Sequence, residues 1–138
     1  MTCTPIKQSF AVTGSINQYG EVQAIGGVNE KIEGFFKLCK GRGLTGEHGC
    51  IIPKANIRNL MLKQEIINAV ADNNFAIYAV ANVNEALELL TGKNAGKKDN
   101  NDEYPEGSLN FKAISRLKEI YDLGHDKDED NNEDEAEL

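Results

Sequence analysis

The stretch IGGVNEKIEG, residues 25–34, sets two glycines ahead of an acid–lysine pair, Glu30-Lys31. A lysine at the start of a helix has two chemical options. It can lay its methylene stem along apolar neighbours and keep its amine in water. Alternatively, desolvation disfavours the charged form, and the neutral amine can then take a proton from a hydroxyl, activating it as a nucleophile. Val28, Ile32, Phe35, Phe36 and Cys39 form one apolar stripe at helical spacing. Lys31 falls roughly 80° from the centre of that stripe, at its edge, whereas Lys37 lies on the opposite, wet side. Periodicity is compatible with either option.

Other chemistries are poorly represented. Cys3, Cys39 and Cys50 form no CxxC pair and are odd in number, and the only histidines are His48 and His125. This pattern predicts free thiols in a reducing compartment, with neither a disulfide framework nor a zinc site. His48, beside Glu47 in a Gly-rich stretch, reads as a surface-loop residue. The stretch GRGLTGEHG has the wrong order for a phosphate loop and no lysine in place, so no ATP site is expected in this chain. Residues 126–137 space acids like a calcium loop, but Asn131 stands where the sharp turn needs glycine. A solvated acidic tail is the better reading.

Composition sets further limits. The net charge of −7 resides in residues 126–138, since the remaining 14 acidic and 14 basic side chains cancel. A neutral body without a basic patch argues against nucleic acid as a partner. No apolar run is long enough to span a bilayer and no leader is evident. A soluble, cytoplasmic protein without membrane contact is expected.

The elements that must position Lys31 follow from pattern. Residues 8–27 read as two strands around the turn NQYG. A helix over 29–40 ends at the GRG of residues 41–43. CIIP, 50–53, is a short buried strand. Residues 56–74 contain a second helix with Leu62, Ile66, Ile67 and Val70 inward. FAIYAV, 75–80, is apolar enough to be central in a sheet. A short helix follows, capped by Asn82 or Asn84. The order predicts an α+β fold, a small mixed sheet packed by helices. Residues 93–107 read as a polar linker or loop and residues 108–123 as a helix capped by Ser108, which covers the main domain or docks on a neighbour. Residues 124–138 read as a disordered acidic tail.

VTGSINQYGEVQAIGGVNEKIEGFF, residues 12–36, resembles the proteolytic domain of the Lon ATP-dependent protease family. The resemblance lies in Thr13-Gly14, Gly20-Glu21-Val22, Ile25-Gly26-Gly27 and Glu30-Lys31, in that order. It continues through CIIPKAN, 50–56, and AIYAVANVNEALELL, 76–90, and so covers residues 4–92 almost continuously. It implies that residues 1–92 are the C-terminal portion of a Ser-Lys dyad peptidase domain. Lys31 matches the general base, and Thr13 matches a threonine whose hydroxyl hydrogen-bonds that lysine. As a strand residue alone, Thr13 is an ordinary β-former. A hydroxyl suits the lysine's role, because a carboxylate would hold the amine as a cation. Gly26 and Gly27 would let backbone pass close to the site.

The resemblance places the nucleophilic serine several tens of residues before Lys31, in a Pro-Ser-Ala-Gly-like motif that this chain does not contain. Ser9 and Ser15 match other positions, Ser108 reads as a cap, and Ser115 as an exposed helix residue. The expectation is therefore a part of the domain that lacks its serine-bearing half and is inactive alone. ATP and magnesium would act in the full-length parent, whose partners are protein substrates and further subunits of a homo-oligomeric ring. Ser15 stands where many members carry an acid, which suggests a divergent Lon-like subfamily. The alternative is a non-catalytic interaction or assembly module built on the peptidase fold.

Overall fold

A computed structural model describes the backbone of residues 2–135 and the side chains of residues 2–124. The chain divides into two compact units. One is Pro5–Gly92 and the other comprises Met1–Thr4 with Lys93–Leu138.

The first unit is organised by a three-stranded parallel sheet in the order β1 (Phe10–Val12), β4 (Gly49–Pro53), β5 (Ala76–Val80). A two-stranded antiparallel ribbon, β2 (Ser15–Ile16) with β3 (Val22–Gln23), leaves the end of β1. The expected mixed sheet is thus a parallel sheet with a separate hairpin. Residues 8–27 give three short strands rather than two, because NQYG turns only the second pair. There Asn17 Oδ1 accepts from the backbone N–H groups of Tyr19 and Glu21, both at 3.0 Å, a side-chain substitute for a backbone turn.

β4 is buried along all five residues, and its side chains alternate between faces as the pleat requires. Cys50 and Ile52 join Val28, Ile32 and Phe36 of helix α1 (Val28–Arg42), Ile66 and Ala69 of helix α2 (Gln64–Ala71), and Phe75. Ile51 faces the other way, with Val80 and Ala86 of helix α3 (Val83–Thr91). Helices on both faces of parallel strands follow from this two-sided burial. The stripe read from the sequence is the buried face of α1, and Phe36 meets Phe75 edge to face at 5.2 Å. Glycine 43, at φ 94°, ends the helix.

Two expectations are corrected. β5 is an edge strand and β4 the central one; apolar content could not rank them, since both pack helices on their faces. α2 is eight residues long, preceded by a 3-10 turn over Lys54–Asn59. Its inward residues are Ile66 and Ala69, while Ile67 and Val70 are 47% and 37% exposed. The core-facing line runs i, i+3 from Ile66 to Ala69, which turns Ile67 and Val70 toward solvent. Asn82 caps α3 by accepting from Glu85 N–H at 3.1 Å, and Glu85 returns a bond to the Ala81 N–H at 2.7 Å, a reciprocal cap.

In the second unit Ser108 Oγ accepts from the Phe111 N–H at 3.3 Å, as its cap role predicts, and helix α4 spans Leu109–Glu135. Ser115 is half-buried rather than exposed. The backbone of residues 124–135 is helical where a disordered tail was expected. No proline interrupts it, and extending an existing helix fixes one residue per hydrogen bond gained. Residues 136–138 lie outside the described residues. The loop before α4 is ordered by backbone bonds from Leu109 to Asn94 and from Asn110 to Ala95, at 3.1 and 2.9 Å.

A Cβ on Gly49 would stand 2.9 Å from the Ala76 carbonyl oxygen and 3.0 Å from Tyr78. Gly34, in the exposed interior of α1, would meet nothing within 4 Å. Urea unfolding should show Gly49→Ala destabilised by about 1–3 kcal/mol and Gly34→Ala stabilised by about 0.5–1 kcal/mol. Equal effects would contradict this packing.

Candidate functional site

The elements that carry Lys31 and Thr13 both rest on β4. Thr13 follows β1, and its N–H donates to the Ile51 carbonyl at 3.0 Å, which continues the ladder for one residue. Lys31 lies in the first turn of α1, where its own N–H donates to the Gly27 carbonyl at 3.1 Å. Ile32, the next residue, is fully buried against the sheet. Burial of such an isoleucine is worth about 2–3 kcal/mol, so the helix cannot roll without losing it. The two side chains line one cavity of about 250 Å³ together with Ala11, Val12, Ile32 and Cys50.

The backbone entering α1 needs its glycine at one position. Gly27 has φ 68°, a left-handed conformation that suits glycine. Gly26 has open space where a Cβ would stand, so the expected close passage of backbone at Gly26 has no counterpart in this chain.

Lys31, Thr13 and Cys50 are the lining residues with a polar or thiol group, and neither an acidic residue nor a serine is among the lining residues. Lys31 is exposed and Thr13 half-buried, and no hydrogen bond joins their side chains among the described residues. The desolvated amine expected from the sequence is therefore not found in this chain. β1 has a partner on one side only, and nothing among the described residues covers the amine. Ser15, the nearest serine in sequence to Thr13, donates instead to Gln23 Oε1 at 3.1 Å across the hairpin.

Cys50 is no substitute nucleophile. Burial pushes its thiol up to about 12 from an ordinary value of 9.0, with neighbouring Cys39 adding to the effect. A thiol so placed supplies almost no thiolate at neutral pH.

Sequence periodicity did not reveal two asparagines that tie down the entry to α1. Asn56 is 3% exposed. Its Oδ1 accepts from the Ile25 N–H at 3.0 Å, and its Nδ2 donates to the Ile25 carbonyl at 2.9 Å. Asn29 Nδ2 donates to the Asn59 carbonyl at 2.9 Å, and its Oδ1 accepts from the Met61 N–H at 2.8 Å. For Asn56 the one available signal was its place in CIIPKAN, three residues after the buried strand and inside the stretch that carries the family resemblance.

Residues 1–92 match the family model described as the Lon protease (S16) C-terminal proteolytic domain. The chain belongs to that family. An Escherichia coli protein named "Putative Lon protease homolog" is 54% identical over 62% of this chain, and one of the same name from Haemophilus influenzae is 45% identical over 82%. The Archaeal Lon protease of Pyrococcus abyssi is 32% identical over 87%. The aligned parts are 15%, 18% and 10% of those proteins, so this chain spans under a fifth of the Lon relatives it matches. The Lon assignment agrees with the parallel sheet and its helices. No described helix is long and apolar enough to cross a membrane.

Iodoacetamide at pH 7 should alkylate exposed Cys3 and leave Cys50 intact until the protein unfolds, as peptide mass mapping would show. The Cys50 thiol is raised on folding, so its contribution is fully present below about pH 9 and is lost as pH rises toward about 12. Over that window the wild type should lose up to about 4 kcal/mol relative to Cys50→Val. Parallel stability curves for the two proteins would refute this burial effect.

Proposed function

We propose that this chain is the lysine-bearing part of a serine-type endopeptidase site, completed by a serine-bearing segment that the longer Lon relatives have room to carry. The observation that supports this most directly is that Lys31 and Thr13, the two residues the resemblance singles out, line the same cavity, with no acidic residue among its lining residues.

In the completed site Lys31 Nζ takes the proton of the serine hydroxyl. Serine Oγ then attacks the peptide carbonyl carbon, and backbone N–H groups stabilise the oxyanion. The C–N bond breaks, Lys31 returns its proton to the departing amine, and an acyl-enzyme remains. Lys31 next takes a proton from water as the water oxygen attacks the acyl carbon; the C–Oγ bond then breaks, Lys31 returns that proton to serine Oγ, and the acid leaves. Thr13 Oγ1 orients the amine between these transfers. Unfolded or damaged proteins would be the substrates. ATP and magnesium would act in parts outside this chain, within a ring of like subunits, and a cytoplasmic setting fits the free thiols. The isolated chain is then inactive.

Casein and peptide assays should detect no hydrolysis by the 138-residue protein. A longer protein that includes the preceding segment should be active, and Lys31→Ala should lower its kcat by roughly 10²–10⁴-fold. Thr13→Val, which removes the hydroxyl proposed to orient the amine in the completed site, should cost about tenfold. Hydrolysis by the short chain alone, or full activity without Lys31, would overturn the assignment.

A further inference from the structure

We infer that Asn56 is the positioning residue for Lys31: its amide fixes the backbone that launches α1, and so fixes where the lysine amine stands. The inference rests on the peptidase reading for its chemical consequence, but its structural half stands by itself.

The backbone leading into α1 has little else to hold it. Ile25 is followed by two exposed glycines, Gly27 is in a left-handed conformation, and no side chain caps the helix. Such a segment is loose unless something pins it. Asn56 does so from 31 residues away, with one donated and one accepted bond to the same peptide residue. The arrangement imitates the pairing of a neighbouring strand. Asn29 repeats it on the other side of the glycines, with Asn59 and Met61 as partners. Lys31 comes two residues after this second clamp. The start of α1 is thus held before and after the glycine pair by a single segment, residues 56–61.

The chemistry requires an amide. Asn56 must donate and accept at once, and among side chains of this length only asparagine does so at neutral pH. Leucine would fill the space and leave the Ile25 N–H and carbonyl unpaired. An ionised aspartate would keep the acceptor but set a negative oxygen against the Ile25 carbonyl. A protonated aspartic acid, with one O–H and one carbonyl oxygen, would restore both bonds. Asn56→Asp therefore turns the clamp into a pH-dependent one, which a residue that merely fills space would not do.

The first test uses the 138-residue chain and amide exchange by NMR, corrected for intrinsic rates. At pH 7, Asn56→Asp should lower protection at the Ile25 and Lys31 amides roughly tenfold or more and leave the α3 amides unchanged. Protection should return as the carboxyl protonates at lower pH. Asn29→Ala, at a half-buried site, is the milder second variant and should loosen the Lys31 amide without pH dependence. The second test uses the longer protease. There Asn56→Asp should lower kcat by roughly 10–100-fold, with KM within about twofold, because misplacing a reacting group affects turnover rather than binding.

Wild-type protection in Asn56→Asp at pH 7, or wild-type kcat in that variant of an active enzyme, would overturn the inference. If the longer wild-type protein shows no activity that depends on Lys31, the peptidase reading fails. The exchange experiment then decides the positional claim alone.

Discussion

The structure of the first unit depends on the complete burial of β4. A strand with apolar side chains on both faces and no access to water must pair its backbone on both edges, because an unpaired buried N–H or carbonyl loses more than a hydrogen bond supplies. β1 and β5 meet that demand, with five residue pairs to β5 and three to β1. The side chains of β4 then dictate the layers. Cys50 and Ile52 call α1 and α2 to one face, and Ile51 calls α3 to the other. Gly49 allows Phe10 and Tyr78 to close over the strand at its start. The meeting of Lys31 and Thr13 is a by-product. One sits on the helix that covers Cys50, the other at the end of the strand that pairs with Ile51.

What could be read from the sequence divides along a physical line. Features that depend on nearby residues were legible. The stripe of α1, its stop within the GRG of residues 41–43 (two residues later than Lys40), and the caps at Asn82, one of two candidates, and Ser108 each involve partners within one or two turns. Features that depend on distant partners were not. Nothing local marks β5 as an edge, since a parallel strand under helices is apolar wherever it lies. Val70 looked inward as an apolar residue four places after Ile66, but the core takes Ala69 at i+3 instead. Asn56 was visible only as part of a family resemblance, and its partner, Ile25, is 31 positions away. Lys31 follows the helical stripe as the exposed neighbour of buried Ile32, but position on the helix does not fix solvation. Solvation depends on what stands opposite.

An exposed Lys31 and a proton-accepting Lys31 are compatible only if a cover is supplied, and the magnitudes say how much cover. Each pKa unit by which any lysine is lowered corresponds to about 1.4 kcal/mol of lost preference for the charged form. A shift of about three units, enough to leave roughly a quarter of a lysine population neutral near pH 7, therefore costs about 4 kcal/mol. At about 25 cal/mol per Å² of apolar surface buried, that cost is offset by roughly 160 Å². Val12, which lines the cavity and is half exposed, supplies only part of such an area. The rest must come from the face that covers it. A covering segment with apolar residues against Val12 and a hydroxyl toward the amine would bury its own surface while it excludes water from Lys31. Desolvation of the base and closure of the sheet edge are then one event, and neither half of the site needs to hold a strained or neutral amine before they meet.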